Sequence, residues 1–303
     1  MYVSWPDHSE TTFGKDVLLA KHDVSKTDLF LDDGLAHLLD VYPRENLDIW
    51  TFGAEGEGVN TSLRGRAPKL KGKDIVEAVK RGHIWLNMRR ANIDIPELAP
   101  IADEIYGSLE DATGRRTRKR DVSVLISSPN VKVHYHLDIP MVALFQMRGK
   151  KRLWMYPKSE MVAPAAFIED IVHMEREEEL PYRKAYDEGA STYELEPGMG
   201  LTWPQFMPHR VENADCMNVS LSCEYMTLGS FVHANALYTN KLIRKVTPLS
   251  PPLKDHVGAV DVAKAAFARA HKVVARKGPR TSPTPVTFEL DTSLDDCVRQ
   301  LYS

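Results

Sequence analysis

The sequence predicts a mainly β domain, a sandwich or closed barrel, with helical segments before and after it. Three observations carry this. From Asp121 to Tyr225 the chain is a series of short runs rich in Val, Ile, Leu and Trp, bounded by Pro, Gly and Asn. Ahead of it, apolar residues recur at helical spacing through Leu29–Leu39 and again through Leu98–Leu109; after Leu228 that spacing returns. With 303 residues, 43% of them hydrophobic and 27% charged, the chain is long enough for one large domain with appendages or two modest ones.

Taken in order, the first ~25 residues are polar and predict a loose arm. Leu29, Phe30, Leu31, Leu35, Leu38 and Leu39 predict a helix, with Asp28, Asp32 and Asp33 at the end where a helix dipole favours acids and Pro43 to stop it. Leu47–Phe52 alternates with period two and predicts a strand; Gly53–Gly65 is glycine-rich and predicts a loop without a phosphate-binding pattern. A short helix over Asp74–Arg81 and a strand over His83–Met88 follow. Pro96 then opens a longer helix closed near Gly114. The basic run Arg115–Arg120 reads as a solvated connection, because the net charge of −3 gives no reason to expect nucleic acid or an anionic membrane as partner. Within the β region, Ser159–Glu179 predicts a helical or irregular insert with an acidic end. Beyond Leu228 helices are expected through Leu242 and over Val260–Val274, while Pro279–Ser303 carries no clear pattern.

Cys216, Cys223 and Cys297 lie far apart, two of them in predicted strand, and imply reduced thiols. The N-terminus has no basic stretch followed by an apolar one, and no apolar run approaches the ~18 residues a membrane span needs. These features predict a soluble, cytoplasmic protein.

The chemistry concentrates in Lys132-Val133-His134-Tyr135-His136-Leu137-Asp138. Residues two apart on a strand share a face, so His136 and Asp138 can reach one point. An imidazole and a carboxylate completed by a distant imidazole form the facial triad of non-haem Fe(II) oxygenases, which leaves positions open for a co-substrate and O₂. His209, 71 positions beyond Asp138, is the candidate third ligand. An H-x-D pair alone is common, and the surrounding residues decide its weight.

The run from His136 through Phe145-Gln146-Met147-Arg148-Gly149-Lys150-Lys151-Arg152 to Trp154-Met155-Tyr156-Pro157 resembles the core of JmjC and cupin-like hydroxylases. Their pattern is H-x-D, an apolar strand, Q-x-x-G-x-K-R and an aromatic strand closing on Pro. Glu196-Pro197-Gly198 through Pro208-His209 to Ser220-Leu221-Ser222 is similar to their second half, and the spacing agrees with the branch that includes the asparaginyl hydroxylase acting on hypoxia-inducible factor. Residues 80–226 are covered. The resemblance implies a double-stranded β-helix (a cupin-like jelly roll), His136, Asp138 and His209 as ligands of Fe(II), and 2-oxoglutarate as co-substrate. Lys151, fifteen after His136, would hold the far carboxylate, as a compact buried ammonium can; its strand neighbours Leu153 and Met155 favour an inward position. Trp85, Asn87 and Ser220 are the further co-substrate candidates. The chain departs from the pattern at Val133, Val142 and Met199, and has Glu224 at a position near the metal in relatives. His134 lies on the same strand face as His136 and Asp138 and is expected to line the pocket. Arg210 and Glu212 are either orienting contacts or a surface pair on an edge strand.

The expected organisation is an N-terminal arm and α/β lead-in over 1–80, the β-helix over 81–227, and a C-terminal helical segment over 228–303. The helices after Leu228 stand where some relatives dimerise, which implies a homodimer. The expected activity is hydroxylation of a protein side chain or small molecule with release of succinate and CO₂. A metal-dependent cupin enzyme without 2-oxoglutarate and a non-catalytic binding protein are the alternatives. The substrate is not legible, and nucleic acid is not required.

Overall fold

A computed structural model describes residues 1–52, 62–247, 249, 251, 257–275 and 284–301. The chain begins with β1 (Val3–Ser4), α1 (Ser9–Thr12), β2 (Leu18–His22), α2 (Asp32–Val41) and β3 (Leu47–Thr51). It continues through β4 (Leu63–Arg66), α3 (Gly72–Arg81), β5 (Trp85–Met88), α4 (Ala91–Asp94) and α5 (Ala99–Thr113). Next come β6 (Arg118–Ser127), β7 (Lys132–His136), β8 (Met141–Arg148), β9 (Lys151–Met155), α6 (Ala165–Val172) and β10 (Ser191–Leu195). The last elements are β11 (Met199–Thr202), β12 (His209–Asn213), β13 (Asn218–Met226), α7 (Leu228–Val246), α8 (Ala259–Val274), β14 (Val286–Leu290) and β15 (Val298–Gln300). No helix among the described residues is long and apolar enough to cross a membrane.

Two sheets face each other. The larger runs β1-β2-β11-β8-β13-β6-β5-β3-β4-β14-β15 and the smaller β10-β9-β12-β7. From β6 to β13 the chain alternates between them, save for the β9–β10 pair within the small sheet, which is the winding of a double-stranded β-helix. The side chains sort accordingly. Leu86, Met88, Val122, Val124, Phe145, Val219 and Leu221 point outward from the large sheet into the core beneath the N-terminal helices. Val142, Leu144, Leu153, Met155, Leu195, Leu201 and Trp203 fill the space between the sheets.

Three expectations are corrected. The arm is ordered in part: Leu18–His22 pairs antiparallel with β11, burying Leu18, Ala20 and His22. Only three inward residues, one of them a histidine, were available to mark it, too few for a period to stand out. The loop expected through Gly65 ends in a strand, since Leu63–Arg66 pairs with β3 and, in parallel, with β14 from the unassigned C-terminal stretch; residues 53–61 lie outside the described part. Cys216 sits in the turn between β12 and β13. All three cysteines are free.

The β8–β9 turn shows why Gln146 and Gly149 stand where they do. Gln146 Nε2 donates to the carbonyls of Arg148 (2.6 Å) and Gly149 (3.1 Å) and to Asn218 Oδ1 (2.7 Å). Gly149 has φ +75°, and a Cβ there would stand 2.3 Å from the Met217 carbonyl. Gly149→Ala is therefore expected to destabilise the chain by about 1–3 kcal/mol, read as a lower urea midpoint with unchanged slope.

Candidate metal centre

His136 is the last residue of β7, Asp138 follows it, and His209 opens β12. The two strands pair with His209 opposite His136, so a register set by the sheet joins residues far apart in sequence. One ligand atom from each of the three lies within 4.8 Å of the others, the one such cluster of this size among the described residues. His209 Nε2 is 3.5 Å from Asp138 Oδ2, and the two imidazole rings are 4.2 Å apart. His209 is buried; His136 and Asp138 are partly open, which leaves one side accessible.

The donor set fits a divalent transition metal. Each histidine is oriented the same way: Nδ1 lies 2.7 Å from the His134 carbonyl for His136 and 3.0 Å from the Met207 carbonyl for His209. With the proton on Nδ1, each donates to that carbonyl and turns the Nε2 lone pair toward the cluster. Burial, and then the neighbouring His136, holds the His209 pKa down to about 4, so its imidazole is neutral around pH 7 and needs no deprotonation to ligate. Burial and the Asp138 carboxylate push Glu224 up to about 7. A dication at the triad would offset that negative potential.

Lys151 opens β9, and its alternation with Leu153 and Met155 aims it between the sheets. Met155 stands opposite His209 in the neighbouring strand, so the row leads from Lys151 to the triad. Lys151 is 5% exposed and makes no ion pair with a carboxylate among the described residues. Burial holds its ammonium down to about 8. A buried cation without a counter-charge is a place for an anion.

Asn87 points away from the outer core into the same space, and its Oδ1 is buried without a hydrogen-bond partner among the described residues. Trp85 lies 5.8 Å from Phe52, which lies 5.5 Å from His134, an aromatic row bridging the two sheets beside β7. Ser220 is fully buried and donates to Gln146 Oε1 at 2.7 Å, within the turn support beside Lys151.

Two features escaped the sequence. Between His209/His136 and Val211/Val133, one residue of β12 (Arg210) opposes two of β7 (His134 and Tyr135), a bulge that breaks the period-two rule. His134 does not join the cluster; its ring packs on Phe52 with Nδ1 3.9 Å from Glu179. The acidic end of the insert is the second: Leu137 N donates to the Glu178 carbonyl (3.2 Å) and Leu180 N to the Tyr135 carbonyl (3.0 Å), so this segment runs along the ligand strand. The cluster of Glu residues was visible, but no local signal marks such pairing. Arg210 is neither a surface residue nor on an edge, for β12 lies between β9 and β7. Its guanidinium donates to Tyr156 (2.8 Å), Asp187 (3.1 Å) and Glu212 and lies 4.2 Å over Trp154, tying the segment between the insert and β10 to the small sheet.

No protein-family model matches the chain, and no curated protein does. Solved structures do. An X-ray structure of Escherichia coli ycfD superposes with a TM-score of 0.51 at 17% identity, covering 90% of this chain and 69% of that one. The chain shares its fold. A second structure of the Escherichia coli protein, described as a ribosomal oxygenase in complex with cobalt and 2-oxoglutarate, superposes with a TM-score of 0.51 at 16% identity over 90% and 68% of the two chains. At these identities the likeness establishes the double-stranded β-helix.

Proposed function

We propose that this chain is an Fe(II)- and 2-oxoglutarate-dependent oxygenase that hydroxylates a side chain of a macromolecular substrate. The observation that carries the reading is the convergence of His136, Asp138 and His209 at one end of the inter-sheet space, with the unpaired Lys151 on the same inner wall. When bound, the metal would supply oxygen activation driven by oxidation of the 2-oxo acid to succinate and CO₂. The chain's own residues do the rest. His136, Asp138 and His209 would hold the ion, and their partly open side would leave it accessible to ligands from solution. Lys151 neutralises the far carboxylate of the co-substrate, Asn87 supplies an amide beside it, and Trp85 and Ser220 line that end. Leu153, Met155 and Trp203 keep water from the space between.

The fold-mate's description as a ribosomal oxygenase in complex with cobalt and 2-oxoglutarate supports both the cofactors and a macromolecular substrate for this chain. The three free cysteines support a reducing compartment, the cytoplasm. Anaerobic addition of Fe(II) and then 2-oxoglutarate is expected to produce the weak visible charge-transfer band of a chelated 2-oxo acid. A protein that binds the metal but gives neither that band nor succinate would be a cupin of another class.

We infer also that the chain forms a homodimer through α8. Val260, Ala263, Phe267, Ala270 and Val274 form an exposed apolar stripe at alternating spacings of three and four, the seam of a helix pair. Light scattering is expected to give twice the 34.2 kDa of the chain, and Phe267→Glu to return it to the monomer mass. A monomer mass for the unaltered chain would end this reading.

A further inference from the structure

The basic run that reads as a solvated connection does not stand alone in the folded chain. A register shift where β6 pairs with the end of β13 places two residues of β6, Lys119 and Arg120, against one of β13, Tyr225, and Lys119 takes φ +53° there. Such a bulge re-aims a side chain, and this one sends Lys119 over the start of α7. Its Nζ lies 5.6 Å from the Phe231 ring centroid. Arg269, from the far end of α8, lies 5.8 Å from the same ring. One turn on, Lys272 lies 4.3 Å over Tyr238. Two aromatic rings thus hold cations from two distant segments side by side.

These charges are not balanced within the chain. Arg116 and Arg120 share Glu110. Among the described residues, no carboxylate comes within ion-pair distance of Arg118, Lys119, Arg269 or Lys272, all of them exposed. Lys272 is exposed along its stem, but its Nζ packs against Tyr238 and Asn235; this partial burial, and then the charges of Arg269 and Lys119, lower its ammonium. In a chain of net charge −3, gathering unpaired like charge on one face costs folding energy that an external polyanion would relieve.

We propose that this face, formed by the start of β6 and the adjoining ends of α7 and α8, binds the phosphate backbone of a nucleic acid. The cations flank rings instead of converging on one point, which suits the spaced charges of a backbone better than a single phosphate. Arginine, with its planar fork, supplies half of the unpaired set. The face adjoins the metal-centre end of the barrel, because the strand that begins with Arg118 reaches Asp121, opposite Glu224, three residues later. A bound strand would pass beside the open side of the site. The inference rests on charge placement and holds whether or not the metal assignment does.

Fluorescence anisotropy with a labelled mixed-sequence 20-nucleotide single-stranded RNA tests it on the full chain. Binding is expected in the range of about 10⁻⁴–10⁻⁶ M at physiological salt, weakening steeply as salt is raised. The double variant Lys119→Glu/Arg269→Glu is expected to bind at least about tenfold more weakly and to flatten the salt slope by about 1.4, the value for two lost contacts to a single strand. Lys21→Glu, on β2 near one edge of the large sheet and four strands from β6, is the control and is expected to leave both unchanged, with circular dichroism checking the fold of each variant. Absence of RNA binding by the unaltered chain would overturn the proposal, as would equal loss in the control. Tighter binding of a poly-glutamate peptide or of anionic phospholipid vesicles than of RNA would overturn the nucleic-acid assignment.

Discussion

Asp138→Ala is expected to remove both the bound metal and turnover, with succinate formation falling by at least about 10³-fold, or ~4 kcal/mol of transition-state stabilisation. The expectation follows from the donor set. His136 and His209 each turn Nδ1 to a backbone carbonyl and would offer Nε2 as an uncharged donor, so Asp138 brings the only negative charge among the three. Without it, two imidazoles 4.2 Å apart hold the ion by neutral donors alone. The loss should exceed the roughly 10- to 100-fold that removal of an outer partner costs. Asp138→Glu separates binding from positioning, since it keeps the charge and moves the oxygen outward by one methylene. It is expected to retain measurable metal but to lose about 10²-fold in rate, the scale of a 1 Å misplacement. Metal content after dialysis and succinate yield are the measurements. An Asp138→Ala protein that keeps its metal and its rate would remove the triad from the mechanism.

The second large effect runs in two directions. Lys151→Met is expected to stabilise the ligand-free chain at pH 7 while weakening 2-oxoglutarate binding. Burial lowers the Lys151 pKa from 10.5 to about 8, which corresponds to about 3 kcal/mol of destabilisation. The unfolded chain holds the proton more tightly than the folded one. The penalty is therefore full below pH 8 and fades as pH rises from about 8 to 10.5, so the stability advantage of the Met variant should vanish across that window. Binding follows the opposite sign. Loss of one member of a buried charge pair costs about 2–5 kcal/mol, so KM for 2-oxoglutarate should rise between roughly 30- and several thousand-fold. In the unaltered chain KM should climb about tenfold per pH unit above pH 8, as the ammonium loses its proton. Urea denaturation of the ligand-free protein at pH 7 and 10, with KM against pH, tests both halves. A Met variant less stable at pH 7 and unchanged in KM would refute the role given to Lys151. The thermal shift that 2-oxoglutarate gives the metal-loaded chain should likewise disappear in it.

Much of the fold was legible because it is written in local periods. Leu98, Ile101, Ile105 and Leu109 at helical spacing marked α5, and Gly114 ends it at φ +64° as a glycine stop should. The outward and inward residues of β8 and β9 follow period two, and Leu153 and Met155 mark Lys151 as inward. What local period could not supply is pairing. The short strand β2 is held by β11, almost 180 positions away, and β4 by β14 near the C-terminus. Neither carries enough apolar residues of its own to be marked as a strand.

The same division runs through the site. By itself the sequence determined the residue types, two of them two apart on a strand and the third in a second apolar run, because metal chemistry restricts which side chains serve and strand geometry restricts their spacing. Only the tertiary structure decided that His209 stands opposite His136, since register depends on how whole sheets close over a core. It also decided that a bulge takes His134 out of the cluster, that the acidic end of the insert lies along β7, and that Lys119 meets Arg269 and Lys272 across Phe231 and Tyr238. Those are contacts between segments far apart in the chain. They arise from the summed packing of many residues, and no short stretch of sequence contains that sum.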